Sequence, residues 1–342
     1  MSRISVIGAG AWGTALAIVS NKAGSSTTLW SRNEEVIEGI KTNNENEIYM
    51  SGVKLPDEIT VTPDLSEACK SNILIIACGA QNFRDITAQI SKYITDDTYV
   101  VISSKGIEKD TGLLMSEVAA QTLPGQAIGV LSGPAFAREV AEGLPTALTL
   151  ATDDLKTSEL LARSLGSRNF RVYSSADLIG VQIGGALKNV LAIATGIATG
   201  RGLGENARAS LITRGVYEIA RLAAAKGADH KTIYGLAGLG DISLSCNSPT
   251  SRNMSFGLDL GLGQNAKNLL ESHPKLVEGF HTSEAVMTMA SKLGVELPIC
   301  EAVYNIINKN ADIDDEINKT LSRPMKAELY HLDEGNDETL AG

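Results

Sequence analysis

A glycine-rich segment near the start of the chain constrains the fold more than any other feature. The segment GAGAWG places Gly8, Gly10 and Gly13 in the pattern GxGxxG, directly after the apolar run RISVI and at the start of an apolar helical stretch. In such a pattern the first glycine permits a tight turn, the second lets a pyrophosphate approach the backbone, and the third allows close packing of helix on strand. Because a helix N-terminus also attracts an anion, the segment predicts a dinucleotide-binding turn, with a tight βα turn without a ligand as the alternative.

The first half of the chain alternates β-branched runs with helical stretches, which is typical of βαβ units around a parallel sheet. Most of these runs are almost continuously apolar, as expected for strands that are covered on both faces. The predicted strands cover residues 3–8, 27–31, 72–78, 98–104, 127–133, 146–152 and 170–175. The predicted fold class is therefore α/β for the N-terminal half, a Rossmann-type domain with a mostly parallel sheet.

From about residue 176 the strand-like runs give way to helical periods separated by short Gly, Pro or Asn breaks. These periods predict helices over residues 177–199, 205–227, 250–263, 281–293 and 298–310. The expected organisation is a dinucleotide-binding domain over residues 1–175, an all-α C-terminal domain with the catalytic residues over 176–330, and a polar, acidic tail over 331–342.

Composition and charge argue against several classes of function. A net charge of −10 and an aromatic content of 4% disfavour a nucleic-acid partner, which needs basic stripes and stacking rings. The 4 cysteines form no CxxC pair and the 4 histidines lack metal-ligand spacing, so we expect neither disulfides nor a metal.

A predicted strand begins almost at the first residue, and Lys188 interrupts the longest apolar helix. We therefore expect a cytoplasmic protein without a signal peptide or membrane span, and its apolar helical surface predicts a homodimer.

The end of the second predicted strand bears on the choice of dinucleotide. In NAD-binding folds an acidic residue at this place usually holds the ribose 2′-hydroxyl. Here the sequence reads LWSRNEE, which places Ser31 and Arg32 where that acid is expected. Both side chains could hold a 2′-phosphate, so NADP, as NADPH, is favoured over NAD, which stays possible. A solvent-facing Arg32 beside Glu34 and Glu35 is the alternative.

Two further strand ends carry candidate binding residues. Lys105 follows the strand in ISSKGIE, and the next strand ends in a turn at Gly133 and Pro134. Because ligands of open α/β sheets bind outside the carboxyl ends of the strands, these residues are predicted to line a ligand site, with a solvated loop position for Lys105 as the alternative.

Two segments of the helical half carry polar groups suited to a phosphate. Asp241 follows the glycine-rich stretch GLAGLG, and Ser251, Arg252 and Asn253 stand at the predicted start of a helix that Ser248 or Thr250 would cap. A hydroxyl, a guanidinium and an amide at a helix start suit a phosphate, and a plain capped helix is the alternative.

Lys188 lies on a helix face that carries no other charge. The residues that share its face by helical periodicity are small: Gly184, Gly185, Ala192 and Thr195. Small neighbours allow a ligand or another segment to approach closely, so Lys188 is a candidate general acid or base, with a snorkelling lysine as the alternative. Desolvation or a second cation such as Lys105 would favour the neutral amine, whereas a carboxylate such as Asp241 would favour the charged one.

The chain resembles the bacterial-type NAD(P)-dependent glycerol-3-phosphate dehydrogenase family over roughly residues 4 to 325. The resemblance rests on motifs in a specific order: GAGAWGTALA, SSKGIE, SGPAFAREV, ALKNVLAIATG, LITRG, GLAGLGDISLSCNSPTSRN and VEGFHT. It implies reversible hydride transfer between NAD(P)H and the carbonyl of dihydroxyacetone phosphate. The product would be sn-glycerol 3-phosphate, the backbone precursor of glycerophospholipids.

The resemblance also implies roles for individual residues. Lys188 matches the proton acceptor of the oxidation direction, which would deliver the proton to the substrate oxygen in reduction. The positions that match substrate contacts, besides Lys188 itself, are Lys105, Gly133, Ala135, Asp241, Ser251, Arg252 and Asn253. Those that match cofactor contacts, beside the glycines of the first turn, are Ala11, Trp12, Arg32, Lys105, Ala137, Arg252, Leu276 and Glu278.

The sequence departs from the family pattern at three places. Ala135 replaces a common serine, so a contact there would use the backbone. The segment ACGAQNFR lacks the proline that usually follows its strand, and Asn33 stands where a second basic residue is frequent, which weakens the case for strict NADPH preference.

Two rival functions are less well supported by the sequence. A β-hydroxyacid-type dehydrogenase shares the layout and a helix-borne lysine, but its carboxylate substrate is expected to use anchors other than TSRN. A catalytically silent dinucleotide sensor would have lost the reactive residues, yet Lys105, Lys188, Asp241 and Asn253 are all present.

Overall fold

An eight-stranded sheet organises the first half of the chain in the computed structural model, which describes residues 2–272 and 277–325. The strands are β1 (Arg3–Ile7), β2 (Ser26–Trp30), β3 (Thr60–Thr62), β4 (Ile73–Ile76), β5 (Tyr99–Ile102), β6 (Ala127–Ser132), β7 (Thr146–Thr152) and β8 (Phe170–Ser175). Their order is β3-β2-β1-β4-β5-β6-β7-β8, and all neighbours are parallel except the antiparallel pair of β6 and β7. The predicted mostly parallel, Rossmann-type sheet is confirmed. The short strand β3 was not predicted, because three residues carry too little periodicity.

Helices connect these strands and cover the sheet: α1 (Ala11–Lys22), α2 (Glu34–Asn43), α3 (Glu47–Met50), α4 (Leu65–Ala68), α5 (Phe83–Ile90), α6 (Met115–Thr122), α7 (Ala137–Glu142) and α8 (Leu155–Leu165). All four residues of the central strand β4 are buried, as expected for a strand covered on both faces. From β1 the first strands are added towards one edge of the sheet, and from β4 the later strands are added towards the other edge, so the strand order reverses between β1 and β4. Ligands of open α/β sheets bind at such a reversal, outside the carboxyl ends of the strands.

The second half is helical, as predicted, and contains α9 (Leu178–Gly200), α10 (Gly204–Ala225), α11 (Asp241–Asn247), α12 (Arg252–Gly261), α13 (Ala266–Ser272), α14 (Glu278–Leu293), α15 (Pro298–Lys309) and α16 (Ile313–Leu321). Three of these, α11, α13 and α16, were not predicted. They span only 7, 7 and 9 residues, which is too short for a clear helical period.

The chain divides into two units. The first comprises residues 1–108 and 113–182, and the second comprises residues 109–112 and 183–342, so the division falls within α9. The domain limits at residues 175 and 330 stay predictions, and the acidic tail over 331–342 lies outside the described residues. Among the described helices, α9 alone has the length and apolarity of a membrane span, yet 83% of its most apolar window is buried inside the structure. Such burial is typical of a core helix.

Glycines let α9 and α12 pack backbone against backbone in the second unit. A side chain at Gly196 would overlap the backbone of α12, and one at Gly257 would overlap the Ile193 carbonyl of α9. The start of α12, where three candidate site residues lie, is therefore fixed relative to the helix that carries Lys188.

A buried carboxylate connects α10 to the start of α15. Glu218 is 6% exposed, and its two oxygens accept the backbone N–H groups of Ile299 at 2.8 Å and Cys300 at 3.4 Å. These N–H groups belong to the first turn of α15, where a helix offers them no internal partner. Burial raises the pKa of Glu218 to about 7, although the two accepted hydrogen bonds and the charges of Arg221 and Arg323 act in the opposite direction.

We expect Glu218 to make the protein less stable as the pH rises from about 4.5 to about 7. The unfolded chain loses the Glu218 proton at about 4.5, whereas the folded chain keeps it until about 7, so each pH unit in this window lowers the free energy of unfolding by about 1.4 kcal/mol. Glu218→Gln resembles the neutral acid in shape and cannot ionise. Relative to wild type it should gain about 1 to 3 kcal/mol between pH 4.5 and pH 8 in denaturant titrations. Glu159→Gln, at an exposed site on α8, is the control, and an unchanged pH dependence in Glu218→Gln would contradict the assignment.

Candidate active site

The GxGxxG segment forms the turn between β1 and α1. Gly8 has a φ of +116°, which favours glycine, and a side chain at Gly13 would overlap the Gly8 carbonyl. At Gly10, by contrast, no described atom lies within 4 Å of the place where a Cβ would stand. Gly8 and Gly13 therefore build the turn, and Gly10 leaves the surface of the turn open to a ligand.

The start of α1 fits the pyrophosphate of a dinucleotide. No side chain among the described residues caps its first N–H groups, and Ala11 and Trp12 lie in this first turn. The indole Nε1 of Trp12 is buried without a hydrogen-bond partner in the described part of the chain. Uncapped helical N–H groups beside the open backbone at Gly10 are what anion binding needs.

The residues after β2 form the start of the next helix. Asn33 caps α2 by accepting the N–H of Glu35 at 2.9 Å, and its own N–H donates to the hydroxyl of Ser31 at 3.1 Å. Arg32 lies between them with an exposed side chain. Asn33 therefore has a local structural role, and Arg32 is the basic side chain that this strand end presents.

The carboxyl ends of β5 and β6 bring Lys105 and Gly133 into contact, as their positions in the sequence suggested. Lys105 Nζ donates to the carbonyl oxygen of Gly133 at 2.9 Å. Gly133 has a φ of +146°, and a Cβ there would lie 2.9 Å from a methyl carbon of Leu148. Ala135 follows in the same loop and Ala137 begins α7, both partly buried.

Lys188 lies in a mostly buried ion pair in the second unit. Its Nζ donates to Asp241 Oδ1 and to Ser245 Oγ, both at 2.8 Å. The Lys188 side chain is 14% exposed and that of Asp241 is fully buried. Ser245 Oγ also donates to Asp241 Oδ1 at 3.3 Å, so the three side chains form one hydrogen-bonded cluster. This geometry differs from that of a snorkelling lysine, whose amine reaches solvent.

Close backbone packing brings Asp241 to Lys188. A Cβ at Gly184 would lie 2.7 Å from the Ala237 carbonyl oxygen and 3.0 Å from Gly238 Cα, so the π-helical turn over Leu236–Gly240 lies directly on α9. The turn leads into α11, whose first residue is Asp241. Since residues four apart share a helical face, Ser245 points to the same side.

Ser251 is the cap of α12, because its hydroxyl accepts the N–H of Met254 at 3.4 Å. The expectation that Ser248 or Thr250 caps this helix is therefore wrong. Ser248 instead accepts the N–H of Thr250 at 3.2 Å and forms the preceding turn. Arg252, the first residue of α12, is exposed.

Asn253 connects three helices of the second unit. Its Nδ2 donates to Asn189 Oδ1 at 2.9 Å, and its Oδ1 accepts the N–H of Gly279 at 3.0 Å. Glu278 precedes Gly279 at the start of α14. Leu276, assigned to the cofactor by resemblance, lies outside the described residues.

Two polar residues of this region were missed by sequence reasoning. Asn189 and Ser245 are both buried, and each accepts a hydrogen bond from a candidate site residue. The signal for Asn189 was its place next to Lys188. Ser245 stands four residues after Asp241. This spacing places the two side chains on one face only if the segment is a helix, and α11 was not predicted.

A Rossmann-type sheet with an open dinucleotide turn and a helical unit with a buried lysine–aspartate pair define the class of the protein, a dinucleotide-dependent dehydrogenase. Family models support this class over both halves of the chain. The model of the NAD-dependent glycerol-3-phosphate dehydrogenase N-terminus matches residues 3–158, and that of the C-terminus of the same family matches residues 177–318. The chain belongs to the NAD-dependent glycerol-3-phosphate dehydrogenase family, and the resemblance seen in the sequence is confirmed.

Individual relatives are similar over nearly the whole chain. The glycerol-3-phosphate dehydrogenase (NAD(P)+) of Parvibaculum lavamentivorans is 46% identical over 326 residues, which cover 95% of this chain and 98% of the relative. That of Corynebacterium glutamicum is 44% identical over 332 residues, covering 96% and 100%. The crystal structure of glycerol-3-phosphate dehydrogenase from Coxiella burnetii superposes with a TM-score of 0.90 at 35% identity, covering 94% of this chain and 99% of that one.

We expect alanine at Gly10 to weaken dinucleotide binding and alanine at Gly13 to lower the stability of the fold. The Cβ of Gly10→Ala meets no atom of the described residues within 4 Å, so the melting temperature of this variant should stay within about 2 °C of wild type. Its methyl group would occupy the surface that a pyrophosphate needs, so the dissociation constant for NADPH should rise about tenfold or more. Gly13→Ala should lose about 1 to 3 kcal/mol of stability by overpacking against Gly8.

Thermal unfolding and dinucleotide titration by fluorescence measure both effects on both variants. Unchanged NADPH affinity in a folded Gly10→Ala protein would contradict the assignment of the turn.

Proposed function

We propose that this protein catalyses the reversible reduction of dihydroxyacetone phosphate to sn-glycerol 3-phosphate with NAD(P)H, and thereby supplies glycerophospholipid synthesis. The observation that carries the proposal is the buried cluster of Lys188, Asp241 and Ser245, in which two hydrogen bonds hold the lysine amine in a fixed position. The family membership and the names of the relatives support the same reaction.

In the proposed mechanism the turn formed by Gly8, Gly10 and Gly13, together with Ala11 and Trp12, would hold the pyrophosphate of a nicotinamide dinucleotide. When bound there, the dinucleotide supplies the hydride that reduces the carbonyl carbon. The protein contributes the fixed position of the reactants and the handling of one proton.

Lys188 is proposed to hold that proton. An ammonium group has three N–H donors, and two of those of Lys188 are directed at Asp241 and Ser245. The third is then available for the substrate oxygen, which takes the proton as the carbonyl becomes an alcohol. In the oxidation direction the amine receives the proton from the alcohol. Asp241 and Ser245 keep Nζ in place, and their two hydrogen bonds fix the direction in which the third N–H points.

The start of α12 is proposed to anchor the substrate phosphate. Arg252 supplies an exposed guanidinium at the first helical position, and the N-terminus of α12 supplies a favourable dipole. Asn253 is held by Asn189 and by the N–H of Gly279, so its amide has one orientation. The remaining residues matched by resemblance keep their proposed roles: Lys105, Gly133, Ala135 and Ser251 for the substrate, and Arg32, Lys105, Ala137, Arg252, Leu276 and Glu278 for the cofactor.

NADPH is proposed as the preferred cofactor because Arg32 stands where an acid would hold the 2′-hydroxyl of NAD. Asn33 is occupied as the cap of α2, so a second basic contact does not come from that position. The preference is therefore expected to be partial, with NADH as a working alternative.

The rival functions gain no support. A solved structure of D-mandelate dehydrogenase bears on the hydroxyacid rival. It superposes on this chain with a TM-score of 0.62 at 17% identity, covering 92% of this chain and 99% of that one, and this likeness shows a shared fold alone. A silent sensor does not account for a buried Lys188 held by two partners. The homodimer and the cytoplasmic location stay predictions from the sequence.

Replacement of Lys188 is expected to abolish turnover while dinucleotide affinity persists. Removal of a general acid costs about 10² to 10⁴-fold in kcat. Because Lys188→Ala leaves Asp241 buried without its cation, it should also cost about 3 to 5 kcal/mol of stability. The matched variants are therefore Lys188→Arg, which keeps a charge, and the double variant Lys188→Ala with Asp241→Asn, which removes both charges.

Oxidation of NADPH with dihydroxyacetone phosphate, followed at 340 nm, measures turnover, and fluorescence titration confirms that each variant still binds the dinucleotide. If these folded variants retain more than a few per cent of the wild-type kcat, Lys188 does not transfer the proton.

Replacement of Arg32 tests the cofactor preference. In Arg32→Gln we expect kcat/KM for NADPH to fall about 10- to 100-fold, which corresponds to the loss of a hydrogen bond to a charged group, while the value for NADH changes little. Lys41→Gln removes the same charge from the exposed surface of α2 and serves as the control. An unchanged ratio of the two specificity constants would show that Arg32 does not bind the 2′-phosphate.

A further inference from the structure

A cavity lies in the first unit and is lined by none of the residues assigned to the cofactor or the substrate. Its volume is about 490 Å³, within the range of about 300 to 1,000 Å³ that small-molecule sites occupy. Val19, Val140, Leu144 and Phe170 form its apolar wall. Three of them are buried, whereas Leu144 is 48% exposed, so an apolar ligand would remove exposed apolar surface from water.

Two helices connect this cavity to the candidate cofactor turn. Helix α1 begins at the GxGxxG turn, and its last residue, Lys22, lines the cavity. Helix α7 begins at Ala137, a proposed cofactor contact, and its last residue, Glu142, lines the cavity as well. The two helices pack against each other. Because α1 has 12 residues, the cavity and the turn are separated along it by about 18 Å.

The end of α7 carries carbonyl oxygens and a carboxylate that would repel an anion, but each of them already has a hydrogen-bond donor or a cation as its partner. Lys22 Nζ donates to the Ala141 carbonyl oxygen at 3.2 Å, and Asn169 Nδ2 donates to the Gly143 carbonyl oxygen at 3.0 Å. Glu142, the acidic side chain among the described lining residues, pairs with Arg138 at 3.3 Å. The negative end of the helix dipole and the carboxylate are thus both partly neutralised.

Arg168 supplies the positive charge of the cavity. It lies in the loop between α8 and β8, its side chain is exposed, and it forms no ion pair with a residue in the described part of the chain. Together with Lys22 it gives the cavity two cations, against the one carboxylate, that of Glu142, among its described lining residues. An apolar wall together with two cations matches a molecule that has an apolar body and an anionic head.

We propose that this cavity is an effector site for a small amphipathic anion. The apolar body packs on the exposed side chain of Leu144, and Arg168 and Lys22 hold its carboxylate or phosphate. Occupancy changes the affinity of the turn for the dinucleotide through α1 and α7. The binding step does not depend on the proposed reaction, whereas the coupling rests on the proposed cofactor site.

Octanoate is the first probe, titrated into the full chain by calorimetry at low ionic strength. Acetate has the head without the body, and octylammonium has the body with the opposite charge. We expect octanoate to bind at least tenfold more tightly than either, and octyl phosphate, titrated in parallel, distinguishes a phosphate head from a carboxylate. No binding of either amphipathic anion, or equal binding of octylammonium, would overturn the proposal.

Two variants test whether the anion binds in this cavity. Arg168→Gln should weaken octanoate binding about tenfold or more, as expected for the loss of a charge-assisted contact, and Leu144→Asp should abolish it by adding a negative charge to the wall. Arg163→Gln, which removes an exposed arginine of α8, is the matched control and should bind as wild type does. Octanoate binding that is unaffected by Arg168→Gln and Leu144→Asp would overturn this location.

The coupling is tested by the dissociation constant for NADPH with and without saturating octanoate. A change of about fivefold or more is expected for coupled sites, and it should vanish in Arg168→Gln. An unchanged constant would overturn the effector role. Neither titration requires turnover, so failure of this proposal is distinguishable from failure of the proposed reaction.

Discussion

The buried ion pair between Lys188 and Asp241 is the interaction on which the arrangement of the second unit depends. Taking two charges out of water costs several kcal/mol per ion, which is recovered only when the geometry is good and the remaining donors are satisfied. Ser245 supplies one such partner at 2.8 Å from the amine. The helix α9, the turn over Leu236–Gly240 and the start of α11 must therefore keep their relative positions, because a small displacement would leave Asp241 buried without its cation.

Glycine makes this close arrangement possible in both units, in each case by the absence of a side chain. In the first unit Gly13 lets α1 approach the Gly8 carbonyl, and in the second Gly184 lets the turn before α11 lie on α9. The same residue type thus places the uncapped start of α1 in one unit and the partner of the Lys188 amine in the other. Where the backbone instead stays open, as at Gly10, the space is available to a ligand.

Sequence reasoning was most successful where a signal is local. The turn between β1 and α1 could be predicted because its three glycines and the flanking apolar runs lie within a few residues, and the parallel sheet followed from repeated apolar runs. Lys188 and Asp241 could each be singled out, but they stand 53 residues apart, and no periodicity relates them. The pairing of Asn253 with Asn189 spans 64 residues. The cap of α12 was misassigned because Ser248, Thr250 and Ser251 are all of residue types that favour the N-cap, and only the backbone path decides among them.

Among its described residues the second unit has two buried carboxylates, Glu218 and Asp241, whose hydrogen-bond partners differ. Glu218 accepts two backbone N–H groups and has no cation within hydrogen-bonding distance among the described residues, so burial raises its pKa and its effect is on the stability of the start of α15. Asp241 faces the amine of Lys188 directly. A carboxylate held by backbone groups can only support a helix, whereas one held by a lysine also fixes a proton donor in space. Because the lysine side chain is itself 14% exposed, the proposed mechanism directs its remaining N–H at the substrate, and the pair that stabilises the helical unit then also takes part in the proposed proton transfer.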